Sequence, residues 1–399
     1  MVAAPLARPG LGMTSHPRFL SVKIARGLRA AVACLWLAWL LPAGAGPFRD
    51  VGDGLALRID RVPAEPWAIQ IVRFERSRTN LFLLPTMGLG DRLGLGTLTE
   101  QIAAIPAAAG EPVAAINGDF YQTENESFPG DPRGLFIARG ELVSAPAERD
   151  CFWLDTNGAP HIGIVRPEFT VTWPDGTVSP LLLNEEPDGG APVLFTAAGI
   201  DLVRRVNGTR IPLIGPTNQP WAPVQMGGRY TAQVGTAGRK QDRLTLGVPA
   251  SLRAQATALR NGGTVQLSFG SQPSLAGVTT AIGGGPALVR GSKVQPARVV
   301  KANVRHPRSA LGWNDTHFFL VTVDGRQPGH SDGMTLPELA SYLVQLGCTE
   351  AMNLDGGGST ELWLRGKIVN QPCYGYERNT ATGLVLLKRG NQANTATRD

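Results

Sequence analysis

Short apolar runs, many alternating with period two and separated by Gly or Pro, dominate the chain. Leu55–Ile59, Ala68–Phe74 and Leu81–Leu84 read as strands. A Gly- and Leu-rich loop from Met87 to Gly96 follows. Thr97 then opens a short helix that Pro106 curtails before Gly110. Val113–Ile116 is unbroken apolar sequence, as expected of a buried strand, and it runs into Asn117-Gly118-Asp119-Phe120-Tyr121. From about residue 135 to 275 the pattern stays β. Phe169–Trp173 and Thr177-Val178 flank the turn Pro174-Asp175-Gly176, and Tyr230–Val234 and Thr264–Phe269 alternate, with few helical stretches between.

The last third changes character. His317–Val323 is too apolar to have an exposed face. Thr335-Leu336-Pro337-Glu338 is a capping box that opens a helix through Leu346, closed by Gly347. Ala351–Leu354 is a second buried strand that runs into Asp355-Gly356-Gly357-Gly358-Ser359-Thr360, and Leu384–Leu387 is the last strand. The pattern predicts an α+β fold of mixed β-sheets with few helices. The strand, helix, strand unit and its Gly-rich loop predict a site at strand C-terminal ends.

At 399 residues, 43% hydrophobic and 18% charged, the chain is neither disordered nor a multispanning membrane protein. The net charge of +6 suggests a nucleic-acid partner until its placement is considered. Arg8, Arg18, Lys23, Arg26 and Arg29 carry five of those charges within residues 1–45, which hold no acid. The remainder is nearly neutral and gives no electrostatic case for nucleic acid. That basic stretch, the apolar run Ala30–Leu41 and Pro42-Ala43-Gly44-Ala45 together read as a cleaved export signal, too short to span a bilayer comfortably, with an uncleaved membrane anchor as the alternative. The expected product is periplasmic or extracellular, with no stable membrane span. Cys151, Cys348 and Cys373 then remain. No C-x-x-C pair is present, and Cys348 with Cys373 fits either a disulfide or small buried side chains.

Candidate chemistry concentrates in loops at the ends of buried strands: Asn117–Tyr121, Ile282–Pro286, His306–Ala310 and Asp355–Thr360, with Asp324-Gly325-Arg326 a weaker fifth. Runs of three glycines let a backbone approach a ligand and direct N–H groups toward it, which suits an anionic or polyhydroxylated ligand. Tight turns are the alternative. Phosphate-loop, dinucleotide, nucleophile-elbow and H-E-x-x-H motifs are missing, and five histidines are too scattered for a cluster. No cofactor is required by the sequence. A divalent metal stays open, with its ligands unassigned.

In order and spacing, Ile116–Tyr121, Ala281–Pro286, His306–Gly312, Thr322–Arg326, Ser331–Thr335, Asn353–Thr360 and Tyr376–Arg378 resemble the phosphodiester glycosidase family over roughly residues 110–390. With the export signal at 1–45, the chain divides into a β-rich segment at 46–109 and, where the resemblance lies, a glycosidase-like domain at 110–390 with a β-rich portion at 164–275. A disordered tail follows at 391–399. The implied substrate is a carbohydrate phosphodiester, hydrolysed at the glycosidic C–O bond in an envelope or extracellular glycan. Because a phosphomonoester leaves readily, the site needs cations and N–H groups for phosphate, plus a carboxylate for water or an oxocarbenium ion.

On this reading the catalytic candidates are Asp355, Asp119, Arg308 and His306, with Arg308 holding phosphate bidentately. Substrate-binding candidates are Asn117, Gly118, Gly284, Gly285, Asp324, Gly356, Gly357, Gly358, Ser359, Thr360 and Arg378, the Gly284 and Gly357 loops supplying N–H groups. Each has a structural counterpart. Asp355 would brace its own turn, Arg308 would form an ion pair, Asp324 would end a strand, and Arg378 would pair with Glu377. Glu338 belongs to the capping box, and Glu361 falls outside the motif; neither is a candidate. Two other functions stay open: a non-catalytic module that binds an anionic exopolysaccharide, and a metal-dependent phosphodiesterase uniting Asp119, Asp324 and Asp355.

Overall fold

A computed structural model describes residues 46–206, 208–215, 223–235, 244–297 and 299–390. The expected export signal, residues 1–45, and the expected tail, residues 391–399, lie outside the described residues.

Two long, largely buried strands are interior because both their faces are covered. Trp67–Glu75 and His317–Val323 lie side by side in an eight-stranded antiparallel sheet. Its order is Arg49–Gly52, Leu55–Val62, Trp67–Glu75, His317–Val323, Arg308–Trp313, Glu350–Asn353, Ala287–Arg290, Lys293–Val294. One face packs Ile69, Ile71, Phe319 and Val321 against Leu336, Leu339 and Leu343 of the helix Leu336–Gln345. The opposite face sends Val72, Phe74, Leu320 and Met352 into a core shared with two five-stranded sheets.

One of these sheets, in the order Lys367–Ile368, Leu362–Leu364, Glu111–Asn117, Thr382–Lys388, Leu81–Met87, contributes Leu83, Ile116 and Leu384 to that core. Its outer face is covered by the helix Leu98–Ala103. The other consists of Glu141–Ser144, Phe136–Ala138, Thr280–Gly283, Asp150–Leu154 and Pro160–Ile164. Its Ile137, Trp153 and Ala281 join a second core beneath a further eight-stranded sheet, which holds the hairpin of Arg166–Thr172 and Val178–Pro180. The α+β architecture of sheets with few helices is therefore the one the sequence predicted.

The expected capping box at Thr335 formed, and a second stands at Thr97. Thr97 with Glu100, and Thr335 with Glu338, exchange side-chain and backbone hydrogen bonds at the helix starts. Inside the β-rich stretch the pattern did not predict the helix Arg253–Arg260. It buries only Ala256 and Leu259, and its N-cap, Leu252, makes no side-chain cap bond. Cys151, Cys348 and Cys373 are all free thiols, so Cys348 takes the buried small-residue reading. Among the described residues no helix is long and apolar enough to cross a membrane.

One correction to the strand, helix, strand reading matters for the site. His317–Val323 and Glu350–Asn353 are not neighbours; Arg308–Trp313 runs antiparallel between them. Arg308 pairs with Val323, and Ala310 pairs with Asn353. The C-terminal ends of the two outer strands and the start of the middle one therefore share an edge, which gathers Arg308, Asp324 and Asp355.

Candidate active site

A cleft of about 390 Å³ lies elsewhere, but the sequence-predicted residues converge on one of about 330 Å³, lined by Phe120, Arg149, His306, Arg308, Arg326 and Asp355. Asp355 follows its strand directly. Its N–H donates to the Gly118 carbonyl at 3.0 Å, and its carbonyl accepts from Asn117 Nδ2 at 2.7 Å. These bonds tie the loop of the large sheet to the end of Glu111–Asn117 in the neighbouring sheet. Asp355 Oδ1 accepts from the Gly356 N–H at 2.9 Å. Burial pushes its carboxyl up to about 6, opposed by the Ser359 hydroxyl, the Gly356 N–H, Arg378 and Arg149.

Asp119 is 2% exposed and sits behind the cleft wall, not in it. Its Oδ1 accepts from the Phe120 N–H at 2.8 Å, and its own N–H donates to Thr382 Oγ1 at 2.9 Å. Oδ2 has no protein partner among the described residues. Two glycines make room for it: a Cβ at Gly283 would lie 2.2 Å from Oδ2, and one at Gly134 would lie 2.9 Å away. Burial pushes this carboxyl up to about 7; Arg149 opposes the rise and the Asp355 charge adds to it. Burial thus raises both carboxyls, and the Asp355 charge adds to the rise at Asp119.

Around the cleft stand cations without carboxylate partners. Arg149, Lys301, Arg308 and Arg326 form no salt bridge among the described residues. Arg308 Nε donates to the Met334 carbonyl at 2.8 Å and Nη2 to the Val304 carbonyl at 2.7 Å. Burial and the neighbouring Arg326 lower its pKa to about 10. Its structural role is therefore backbone bracing in place of the expected ion pair. Arg326 Nε and Nη2 both approach His306 Nδ1 at 3.3 Å. Burial, then Arg326, Arg308 and Lys301, hold the His306 pKa down. The neutral ring accepts at Nδ1, which leaves its proton on Nε2. Arg149 stacks over the Phe120 ring at 4.4 Å. A cluster of cations around one carboxylate is suited to an anionic ligand.

Several sequence-predicted binding residues have other duties. Asn117 is fully buried, and its Oδ1 accepts from Ser309 Oγ at 2.6 Å and from the Glu361 N–H at 3.2 Å, so it positions Asp355 without facing the cleft. Asp324 is 1% exposed and does not line the cleft. It accepts from Gln70 at 2.9 Å, Asn370 at 3.3 Å and the Gln371 N–H at 3.0 Å, and it pairs with His330 at 2.9 Å. It is a strand-end brace, and it does not join Asp119 and Asp355. Among the described residues no three Asp, Glu, His or Cys are placed to hold a metal ion.

The glycine N–H groups are largely engaged within the protein. Gly285 donates to the Asn353 carbonyl at 2.8 Å and Gly357 to the Pro307 carbonyl at 2.9 Å, so the expected phosphate cradle does not form at these two. Gly285, Gly356 and Gly357 line the cleft, whereas Gly118, Gly284 and Gly358 permit close packing: a Cβ would come within 2.5 Å of Thr382 Oγ1, 2.7 Å of the Asn353 carbonyl and 2.3 Å of the Tyr374 ring, respectively. Ser359 is buried and bonds Asp355, while Thr360 Oγ1 is buried without a partner among the described residues. Arg378 approaches Glu124 at 3.9 Å, whereas Glu377 binds Thr99, so the expected Arg378–Glu377 pair is not seen. The sequence reading missed Arg149 and Lys301, which carry no motif signal, and Arg326, which closes the Asp324-Gly325-Arg326 motif. It also set aside Glu361, a buried carboxyl that burial pushes up to about 8 and that accepts from the Arg378 N–H at 2.8 Å.

Residues 224–387 match the family model described as Phosphodiester glycosidase. The resemblance drawn from the motifs is thus found over the stretch carrying Arg308, Arg326 and Asp355. The SPbeta prophage-derived uncharacterized protein YomE of Bacillus subtilis (strain 168) is 37% identical over 103 residues, 25% of this chain and 16% of that protein. Among solved structures, a hypothetical protein from Synechocystis aligns with a TM-score of 0.64 at 19% identity, covering 86% of this chain and 64% of that one. A putative exported protein from Burkholderia pseudomallei K96243 aligns at 0.59 and 23% identity, covering 80% and 74%. The catalytic domain of zebrafish N-acetylglucosamine-1-phosphodiester alpha-N-acetylglucosaminidase, auto-inhibited by its pro-peptide, aligns at 0.45 and 14% identity, covering 86% and 87%. The chain therefore spans less than a fifth of the curated relative it matches and just under two-thirds of the Synechocystis protein.

Proposed function

We propose that this chain, matched to the phosphodiester glycosidases over residues 224–387, is an exported hydrolase that cleaves a sugar-1-phosphodiester at its glycosidic C–O bond, in an envelope or extracellular glycan. The observation that carries the reading is the set of four cations, none in a salt bridge among the described residues, around a cleft whose wall holds Asp355. Arg326 and the free edge of Arg308 bind the phosphate oxygens, and His306 donates from Nε2. The C1–O bond breaks with its electron pair leaving on the phosphate oxygen. A water oxygen bonds to C1, and Asp355 takes the water proton. Because the leaving group is a phosphomonoester, hydrogen bonds and cationic charge can stand in for a strong general acid. Asp119 acts through Asp355: a protonated carboxyl behind the wall adds no second negative charge beside the phosphate.

The test is turnover of a GlcNAc-1-phosphodiester by wild type, Asp355→Asn and Arg326→Gln. Loss of the base lowers kcat by about 10²–10⁴-fold. Loss of Arg326 weakens the anion contacts and raises KM more than it lowers kcat. Wild-type kcat in Asp355→Asn would overturn the proposal. Anionic glycan binding that survives Asp355→Asn, with no turnover by wild type on any sugar-1-phosphodiester, would replace it with a binding module.

A further inference from the structure

The larger cleft, of about 390 Å³, is built for the opposite charge. Its polar wall carries Asp131, Glu185 and Glu186, and its other wall is apolar, with Pro146, Phe169 and Leu181. Asp131 is only 5% exposed. One of its oxygens, Oδ2, accepts from Gln122 Nε2 at 3.2 Å, while Oδ1 has no partner among the described residues. A buried acceptor without a donor is costly, and a donor arriving with a ligand relieves that cost once the Asp131 carboxyl, whose Oδ1 is closed off from solvent, turns toward the cleft. Glu185 has a long contact of 3.4 Å from the Leu183 N–H, and Glu186 is exposed at the rim. The cation that borders this cleft, Arg133, is paired with Glu126; it opposes the rise at Asp131, but by less than Glu185 adds to it. Burial, then the charge of Glu185, push Asp131 up to about 8, so an empty cleft holds a proton where a bound cation would sit.

This cleft lies against the back of the candidate active site. Phe120 lines the active-site cleft, and its carbonyl accepts from the Arg133 N–H at 2.8 Å. Tyr121 bridges to Pro132, and Pro132 and Arg133 line the acidic cleft. We propose that the acidic cleft binds the protonated amine of an amino sugar, the ammonium facing Asp131 and Glu185 and the sugar ring lying on the Pro146–Phe169 wall. An ammonium on a carbon skeleton suits a cavity that is half anionic and half apolar, and no three acids here close on a metal ion. The sugar half of the assignment rests on the proposed glycosidase function; the ammonium half does not.

The experiment is calorimetric titration of the full chain with a glucosamine trimer bearing free amines, its N-acetylated counterpart, and spermidine. Wild type is compared with Asp131→Asn and Glu186→Lys. Glu186 is exposed, so its substitution reverses charge at the rim without touching a buried contact, and thermal melting checks the Asp131 variant. The free-amine trimer should bind at least tenfold more tightly than the N-acetylated one and lose at least tenfold in either variant. Equal binding of the two trimers, or binding indifferent to both substitutions, would overturn the proposal. Displacement of the trimer by equimolar spermidine would overturn the amino-sugar assignment in favour of a general ammonium site. Turnover of a monosaccharide phosphodiester in Glu186→Lys should equal wild type. Failure of the hydrolase reading would show as no turnover by wild type, while the trimer titration would still decide the acidic cleft.

Discussion

Replacing Asp119 by Asn keeps the side chain's shape and removes its titration, which isolates the consequence of its burial. Its carboxyl moves from an ordinary value of 3.8 to about 7, and at 2% exposure solvent screens little of that shift. Three pH units at about 1.4 kcal/mol each amount to roughly 4 kcal/mol of preference for the protonated form. The native state binds this proton more tightly than the unfolded chain does. Its contribution is therefore fully present below the unfolded value near 4 and is lost as pH rises through about 7. Between pH 5 and pH 9 wild type should lose on the order of 3 kcal/mol more stability than Asp119→Asn. The Asp355 carboxyl titrates in both proteins and largely cancels, except for its repulsion by Asp119, which is present in wild type alone. Urea unfolding at pH 5, 7 and 9 reads the difference directly. A stability gap that does not change with pH, or one that moves in favour of wild type at pH 9, would refute the claim that Asp119 is held protonated by burial.

Two further outcomes follow from the packing. Gly283→Ala places a Cβ 2.2 Å from Asp119 Oδ2, so it should lower stability by about 1–3 kcal/mol, read by urea unfolding, and reduce turnover together with it. Thr335→Ala removes the hydroxyl that caps the helix Leu336–Gln345, where the Glu338 N–H donates to it at 3.2 Å. It should cost about 1 kcal/mol in urea unfolding and leave the KM for substrate unchanged.

What could be read in advance depended on whether the determinants were local. His317–Val323 and Trp67–Glu75 were legible because strands covered on both faces carry long apolar runs, the buried Gln70 being satisfied by Asp324 and Thr322. Thr335 and Glu338 were legible because a capping box is closed within four residues. Asp355 was legible because its glycine run marks a backbone in close approach: a Cβ at Gly356 would lie 2.7 Å from the Pro307 carbonyl. Asp324 carries a similar local signal but a different fate. Its partners Gln70 and Asn370 lie 254 and 46 residues away, and no local pattern reports them. Arg149 and Lys301 reach the cleft through sheet pairing and loop position alone. The helix Arg253–Arg260 was hidden because its start lacks a polar cap and its buried stripe is two residues wide.

In the proposed reaction the bond to the sugar carbon breaks, with Asp355 as the group that activates water. The direct measurement is hydrolysis of a GlcNAc-1-phosphodiester in ¹⁸O-water by wild type and Asp355→Asn, with both products analysed by mass spectrometry. Cleavage at the sugar carbon puts ¹⁸O in the released reducing sugar and none in the phosphomonoester, and labelled sugar is lost in Asp355→Asn. Label in the phosphomonoester would mean cleavage of the P–O bond and would contradict it.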